Sequence, residues 1–414
     1  MADTEFIDLS EQEETAQAPR KSKRKRKRKG KKAESAQGHG EVAVTEVHDI
    51  DDVEQVEREA LDAAGDDDFT PSAAGWAVRI AVPAAVVAFI FSLPVIVPFD
   101  FQADLVSTAA IFGCVALSMN VLVGYLGQLS LGHQAFYGIG AFASALITTD
   151  PRFDLPFPVG IGVAALTGAL TAVLIGYVAL RVRGLYLAIV TLAYGLLAEV
   201  SIFRIGILSQ GIPSDKPVGF ASPRLYAYLC LLTLVIFFAF DWRLMKSKAG
   251  RAILAIRDDE RVAASFGINV TNYKLLAFII SGTMAGIAGA LFGHLLGFVS
   301  AENEFDLFLG LTFVLMTVVG GLGNRVGVLV GATIFATLDD LLELLHDVFP
   351  IIPAPNPIYV PVIGALLLVL TLIQFPGGIG QQLAPIQNWV RGGRFDIHAM
   401  KEKTGSGGGM VGRP

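Results

Sequence analysis

The sequence predicts an all-α polytopic membrane protein of about ten transmembrane helices, with both termini in the cytoplasm. Three observations predict it. Of 414 residues, 53% are hydrophobic and only 17% are charged. The charge is concentrated at one end: residues 1–70 hold 19 Asp/Glu and 12 Lys/Arg, which leaves the rest with about half the charge density of a soluble domain. From Trp76 onward the chain is a succession of apolar runs, most of them near the ~20 residues a helix needs to cross the hydrocarbon.

Taken in order, residues 1–74 are an acidic opening, the basic run Lys21–Lys29 and an Asp/Glu-rich stretch ending in Asp66-Asp67-Asp68. Apolar residues there are too few to bury a core, which predicts a disordered cytoplasmic tail; its basic run would touch anionic membrane lipid, and a solvated tail without essential function is the alternative. No cleaved signal peptide is expected, because the first apolar run begins only at Trp76. The membrane domain is placed at 75–380, with spans at 76–97, 104–125, 133–149, 158–180, 185–203, 223–241, 273–297, 306–323, 326–347 and 358–375. The run at 133–149 is short and Gly-rich, so re-entry is the alternative to crossing. Residues 381–414 are assigned to a cytoplasmic tail that ends in a Gly-rich stretch.

Orientation follows from loop cations. With the N-terminus inside, the inner connections carry ten: Arg181, Arg183, Arg243, Lys246, Lys248, Arg251, Arg257, Arg261, Lys274 and Arg325. The outer ones carry four: Arg152, Arg204, Lys216 and Arg224. This bias puts the N-terminus in the cytoplasm, and an even number of spans returns the C-terminus there. Cys114 and Cys230 both fall inside apolar runs, so neither a disulfide framework nor a metal site is expected.

Two stretches carry more than membrane crossing requires. The inner loop 242–272 contains a run of good helix formers from Arg251 to Phe266, stopped by Gly267. Its charged middle is Arg257-Asp258-Asp259-Glu260, and Ala263, Ala264 and Gly267 would let a partner approach closely. An amphipathic helix lying on the lipid boundary is the alternative. The second stretch, Asn120–Gly140, places Gln128, Ser130 and His133 at membrane depth among five glycines, with Phe136 beside them. Polar side chains there are costly unless they face a cavity or other helices, and a helix broken at glycine is a common lining of transport paths. Mutual hydrogen bonding between packed helices is the alternative.

Gly282, Gly286, Gly289 and Gly293 recur at spacings of four, three and four, continued by Gly297. That is one face of a helix and predicts close helix packing in lipid, with His294 as a hydrogen-bonded packing residue. Val123–Gln128 and Val319–Asn324 share a Gly-rich pattern, each at the inner end of a span. No GxxxxGK[ST] loop is present, so no nucleotide site of that kind and no bound cofactor is assigned to the chain. The spans 105–149 and 158–180 lack Asp, Glu, Lys and Arg, which argues against an ion-coupled carrier. No HExxH, GxSxG or carboxylate–histidine set suggests an enzyme.

Residues 112–146, around Gly127-Gln128-Leu129-Ser130-Leu131-Gly132-His133, resemble the signature of branched-chain amino acid ABC transporter permeases. So do Arg181–Ala193, Gly250–Phe278, Ala285–Leu291 and Gly320-Gly321-Leu322-Gly323, in that order over roughly 105–375. The blocks are more similar to the M-type than to the H-type subunit of the permease pair. The resemblance implies an importer in a bacterial or archaeal plasma membrane. Its partners would be an H-type permease, two cytoplasmic ATPase subunits and an extracytoplasmic binding protein, with no nucleic acid. It also implies a coupling helix seated on the ATPase, carried by Ala255, Arg257, Asp258, Asp259, Glu260, Ala263, Ala264 and Gly267. Gln128, Ser130, His133 and Phe136 would then line the translocation pathway. The chain departs from the pattern at Ser209–Gly219, which lacks a Thr-Asn-Gly-like stretch, and at Ala301, where proline is usual. Competing expectations are a urea or short-amide permease of the same superfamily, a stand-alone secondary carrier or channel, and a membrane scaffold whose basic tail recruits nucleic acid.

Overall fold

The computed structural model describes residues 81, 84–85, 87–94, 100–179, 184–300, 305–348, 359–374 and 377–390. The expected tail 1–74, Arg181, Arg183, Ala301 and residues 391–414 lie outside these. Of the expected span 76–97, the stretch 87–94 is helical.

Helix α1 (Asp100–Met119) continues into a π-helical turn, Asn120–Tyr125. Together they give an apolar rod, Ala103–Tyr125, about 34 Å long and buried along most of its length. An irregular segment, 126–132, leads to α2 (His133–Thr149), which at 17 residues is about 25 Å long. Helix α3 (Phe157–Ala179) turns Leu166, Leu170, Leu174 and Tyr177 outward. Helix α4 (Leu185–Val200) is followed by two 3-10 turns, Ile202–Arg204 and Gly206–Gln210. Helix α5 (Pro223–Lys246) starts with proline at its first turn, where a missing N–H costs nothing. Two short helices fill the inner loop, α6 (Lys248–Asp258) and α7 (Glu260–Ser265). Helix α8 (Val270–Leu296) is the longest, at 27 residues. The chain then runs through α9 (Leu307–Gly320), α10 (Arg325–Ala336), α11 (Leu338–Val348), α12 (Tyr359–Gln374) and α13 (Ile379–Val390).

Five of these helical stretches are long and apolar enough to cross a bilayer. The fold is helical and polytopic, with departures from the expected pattern that have local causes. A two-stranded ladder joins β1 (Ile212–Ser214) to β2 (Gly297–Val299) antiparallel, with Ile212 opposite Val299. Three residues with a central Pro213 give no alternation for a sequence reading to find. Gly297 belongs to this turn, at φ +78°, rather than to the packing face of α8. The expected span 306–323 ends early because Gly321, at φ +106°, leaves helical geometry. The expected span 326–347 breaks at Thr337, whose hydroxyl donates back to the Thr333 carbonyl at 3.0 Å, and a new helix opens at Leu338 with Asp340 in its first turn, at its positive end. Helix α13 occupies the start of the expected C-terminal tail.

Helix α8 is the hub, packed on α1, α2 and α3. A Cβ added at Gly289 would lie 1.8 Å from the Tyr137 carbonyl oxygen of α2. One at Gly282 would lie 2.5 Å from the Ala172 Cβ of α3, and one at Gly286 2.5 Å from the Ala164 oxygen. At Gly293 it would meet Val299 at 2.9 Å. Backbones this close maximise dispersion contact where lipid supplies no hydrophobic drive between helices. At the C-terminal end of α8, His294 binds Ser144 Oγ through Nε2 at 3.0 Å, and its Nδ1 lies 3.0 Å from Ser214 Oγ and 2.9 Å from the Asp215 oxygen. His294 thereby ties α2, the β1 loop and α8 together. Both cysteines are buried and unbridged.

Candidate translocation and coupling site

The irregular segment 126–132 arises where α1 winds into its π turn. The Leu126 N–H donates to Val121 O at 3.2 Å, a five-residue step, and the Gln128 N–H donates to Leu122 O at 2.9 Å. π turns of this kind concentrate at functional sites. The extra residue turns Asn120 inward, and its Oδ1 accepts the Gly323 N–H at 2.8 Å. The two Gly-rich hexapeptides therefore meet: a Cβ at Gly124 would lie 2.7 Å from the Gly323 nitrogen.

Beyond the break, His133 opens α2 and is wholly buried. Its Nε2 lies 2.9 Å from Ser118 Oγ and 3.1 Å from Ser281 Oγ. Each serine hydroxyl donates to the other serine's carbonyl at 2.8 Å, so both hydroxyl protons are committed and the imidazole Nε2–H is the donor toward them. That leaves His133 Nδ1 as a buried lone pair without a partner. Ser130 Oγ and both polar atoms of Gln134 are also buried without partners. Gln134 is wedged between the backbones of Gly195 on α4 and Gly310 on α9. Phe136 is fully buried, with its ring 5.8 Å from His133 and 5.2 Å from Tyr194. Ser130, His133 and Phe136 thus lie sealed inside helix packing in this conformation. Gln128 is placed elsewhere, in the wall of a cleft beside α6 and α7.

That cleft, about 570 Å³, lies between Leu126–Leu129, Gly184–Ala188 and Ile256–Arg261. It brings Gln128 beside Arg257, Asp258, Asp259 and Glu260. The sequence predicts one helix over 251–266; the structure has two, because Asp259 adopts φ −158°, ψ 118° and caps α7. Its Oδ1 accepts the Arg261 and Val262 N–H groups at 2.7 and 3.1 Å. These two bonds, that from Val262 first, hold the Asp259 carboxyl below its usual range. Glu260 forms an ion pair with Lys274, which is almost fully buried at the start of α8. Gly267, at φ +79°, closes α7, with the Ile268 N–H returning to Ala263 O at 3.2 Å.

Ala255 is half-buried, and Ala263 is buried and turned inward, whereas Ala264 and Gly267 are exposed. The outward face of α7 is instead dominated by Val262 and by Phe266, which is 81% exposed. Arg257 turns back toward the membrane domain. Its Nη1 donates to the Gly124 carbonyl, its stem covers Gly127, where a Cβ would lie 3.1 Å from Cγ, and the same Nη1 is 3.5 Å from the Cβ position of Gly323. One side chain from α6 therefore touches both glycine turns.

A second inner cluster was not anticipated. Asp241, fully buried near the end of α5, forms an ion pair with Arg325, and Tyr125 donates its hydroxyl to Asp241 Oδ2 at 2.9 Å. Counting Arg325 as a loop cation hid this pair. Ser118, Ser281 and Gln134 were missed because single small polar residues in apolar runs are usually satisfied by their own helix.

Comparison with known proteins bears on this arrangement. The family described as the permease component of branched-chain amino acid transport systems matches residues 102–372, well over half of the chain. The chain belongs to that family. The permease is 32% identical over 278 residues to the high-affinity branched-chain amino acid transport system permease protein LivM of Salmonella typhimurium, covering 59% of this chain and 64% of the relative. LivM of Escherichia coli K12 is 32% identical over 276 residues, with the same coverage. The autoinducer 2 import system permease protein LsrC of Yersinia pestis is 28% identical over 143 residues, covering 33% of this chain and 40% of the relative. The permease thus spans about 64% of the length of the LivM relatives. No solved structure matches it. The matched stretch contains the π turn, the polar pocket at His133 and the α6–α7 pair, and the permease is a multi-pass membrane protein.

Proposed function

We propose that the chain is the transmembrane permease subunit of an ABC importer that moves leucine, isoleucine and valine into a bacterial cell. The chain crosses the inner membrane ten times in this reading, with both ends in the cytoplasm. It pairs with a second, H-type permease, receives substrate from an extracytoplasmic binding protein and draws its energy from two cytoplasmic ATPase subunits. It binds no cofactor of its own. The observation that carries the reading is the α6–α7 pair, which presents Val262 and Phe266 outward while Arg257 holds the glycine turns at the foot of the pathway.

In this mechanism ATP-driven closure of the partner ATPases displaces α7. Arg257 passes the displacement to Gly124 and Gly323, and the π turn and the 126–132 segment shift between states. Gln128, Ser130, His133 and Phe136 line the path that opens. The ATP-bound form must favour one state over the other for transport to be driven. Uptake of radiolabelled leucine in cells with and without the gene tests the proposal, with unlabelled isoleucine, valine and urea as competitors. Loss of uptake on deletion, with competition by isoleucine and valine but not by urea, is the expected result. Unchanged uptake in the deletion strain sinks the substrate assignment.

A further inference from the structure

The inner end of α5 and the start of α6 form a surface that the import cycle does not use. Residues 242–251 contain Arg243, Lys246, Lys248 and Arg251 and no acidic residue, and all four cations are exposed. None has an ion-pair partner among the described residues. The nearest acid in sequence, Asp241, is buried and committed to Arg325, and Asp258 lies two turns beyond Arg251 on α6.

The cluster is ordered by its own contacts. Lys246 Nζ sits 3.7 Å from the ring centroid of Trp242, itself 47% exposed, a cation–π contact. Arg251 Nη1 donates to the Lys246 carbonyl at 3.1 Å, and Ser247 caps α6 by accepting the Gly250 N–H at 3.2 Å. Above it, Leu232, Ile236 and Phe240 are exposed at four-residue spacing and lead directly to Arg243. An apolar helix face therefore ends in an indole and four cations where the membrane span ends.

We propose that this elbow binds the phosphate headgroup of an anionic phospholipid, with an acyl chain along the Leu232–Phe240 face. Charge decides the occupant. Four unpaired cations attract a phosphodiester, and the indole belongs at the headgroup level. A soluble partner reaching the cations would leave the apolar face above them uncovered. Because Arg243 and Lys246 end α5 while Lys248 and Arg251 begin α6, one headgroup would fasten the coupling pair to the membrane span. The leaflet concerned rests on the proposed orientation; the binding chemistry does not.

The test uses the full chain in nanodiscs, which present the same lipid on both faces, so a failure of the import reading leaves it interpretable. The chain has three tryptophans; Trp76→Phe and Trp389→Phe leave Trp242 as the reporter, and a further Trp242→Phe provides the blank. Quenching is compared between brominated phosphatidylglycerol and brominated phosphatidylcholine, each diluted in unbrominated phosphatidylcholine. The expected result is stronger quenching by the anionic lipid at equal mole fraction, with the preference falling roughly fivefold per cation removed in Arg243→Gln and Lys246→Gln and retained in Lys246→Arg. Equal quenching by both lipids overturns the proposal, because it reports an ordinary lipid boundary. Absence of quenching by either also overturns it, because it means that protein covers the face.

Discussion

Arg257 illustrates how much of the proposed coupling rests on one side chain. Its guanidinium holds the Gly124 carbonyl while its stem lies on Gly127, and a charged hydrogen bond of this kind contributes about 1.5–3 kcal/mol, toward the lower end where water reaches it. Arg257→Ala is expected to lower leucine uptake about tenfold while ATP hydrolysis by the assembled transporter continues, with Arg257→Lys intermediate. Equal losses of hydrolysis and uptake would assign the residue to folding instead. Asp259 gives a pH signature. Its carboxyl is held below the ordinary aspartate value of 3.8 by backbone donors, so the cap is fully present above that value and is lost as pH falls through the lower folded value. Protection factors of the 260–265 amides, with the intrinsic pH dependence of exchange divided out, are expected to fall at the acid end of that window in the wild type and to stay level in Asp259→Asn, which keeps an acceptor oxygen. Buried Asp241 and Arg325 behave differently. Arg325→Gln alone leaves an uncompensated carboxylate and is expected to cost about 3–5 kcal/mol, read as a lower unfolding midpoint in detergent. Asp241→Asn combined with Arg325→Gln should recover much of that loss.

At the scale of elements, the packing of α8 is the most sensitive feature. Gly289→Ala forces a Cβ against the Tyr137 carbonyl and is expected to destabilise by about 1–3 kcal/mol. Gly162→Ala on α3 meets nothing within 4 Å and should be neutral or slightly stabilising, and thermal unfolding of the two variants side by side makes the comparison. Elements of this kind were legible in the sequence because small residues at helical spacing in an apolar run have one common use. The 133–149 helix was legible to the residue, since glycine and polar residues bound it on one side and Asp150 on the other. The break at Thr337 was not, because threonine occurs freely within helices, and its back-bond to Thr333 is no different from that of Thr333 to Leu329 inside the unbroken helix. Nor was the split at Asp259: three consecutive acids in Asp258-Asp259-Glu260 read equally well as a charged helix face or as a cap. Gln128 and Arg257, read as parts of two separate machines, share one cleft, and no spacing in the chain announces a shared wall across 128 intervening positions.

For the molecule as a whole, the half around His294 and the half around Arg257 are organised by different chemistry. The His294 half is fastened by neutral contacts at His294 and by the β1–β2 ladder, with the ion pair of Lys216 and Asp104 at 2.8 Å as a charged link. The Arg257 half concentrates the buried or half-buried charges Asp241, Arg325, Lys274 and Glu260 around two glycine turns and a π turn. A sequence reading finds the polytopic plan and the inner loop because both follow from composition. It does not find which charges leave the loops to pair inside, since that depends on helix rotation. Salt should therefore act unequally. Raised ionic strength screens the exposed cations of 242–251 within a Debye length of ~10 Å or less and leaves the Asp241–Arg325 pair nearly untouched.

The burial of both cysteines has a practical corollary. Cys114 on α1 and Cys230 on α5 are wholly buried, so a membrane-impermeant maleimide is expected to leave the native chain unlabelled. A single thiol introduced at Phe266 or Val262 then becomes a reporter on an otherwise silent background. Its labelling in inside-out vesicles, with and without nucleotide, would test the proposed docking of α7 without any native residue having been removed first.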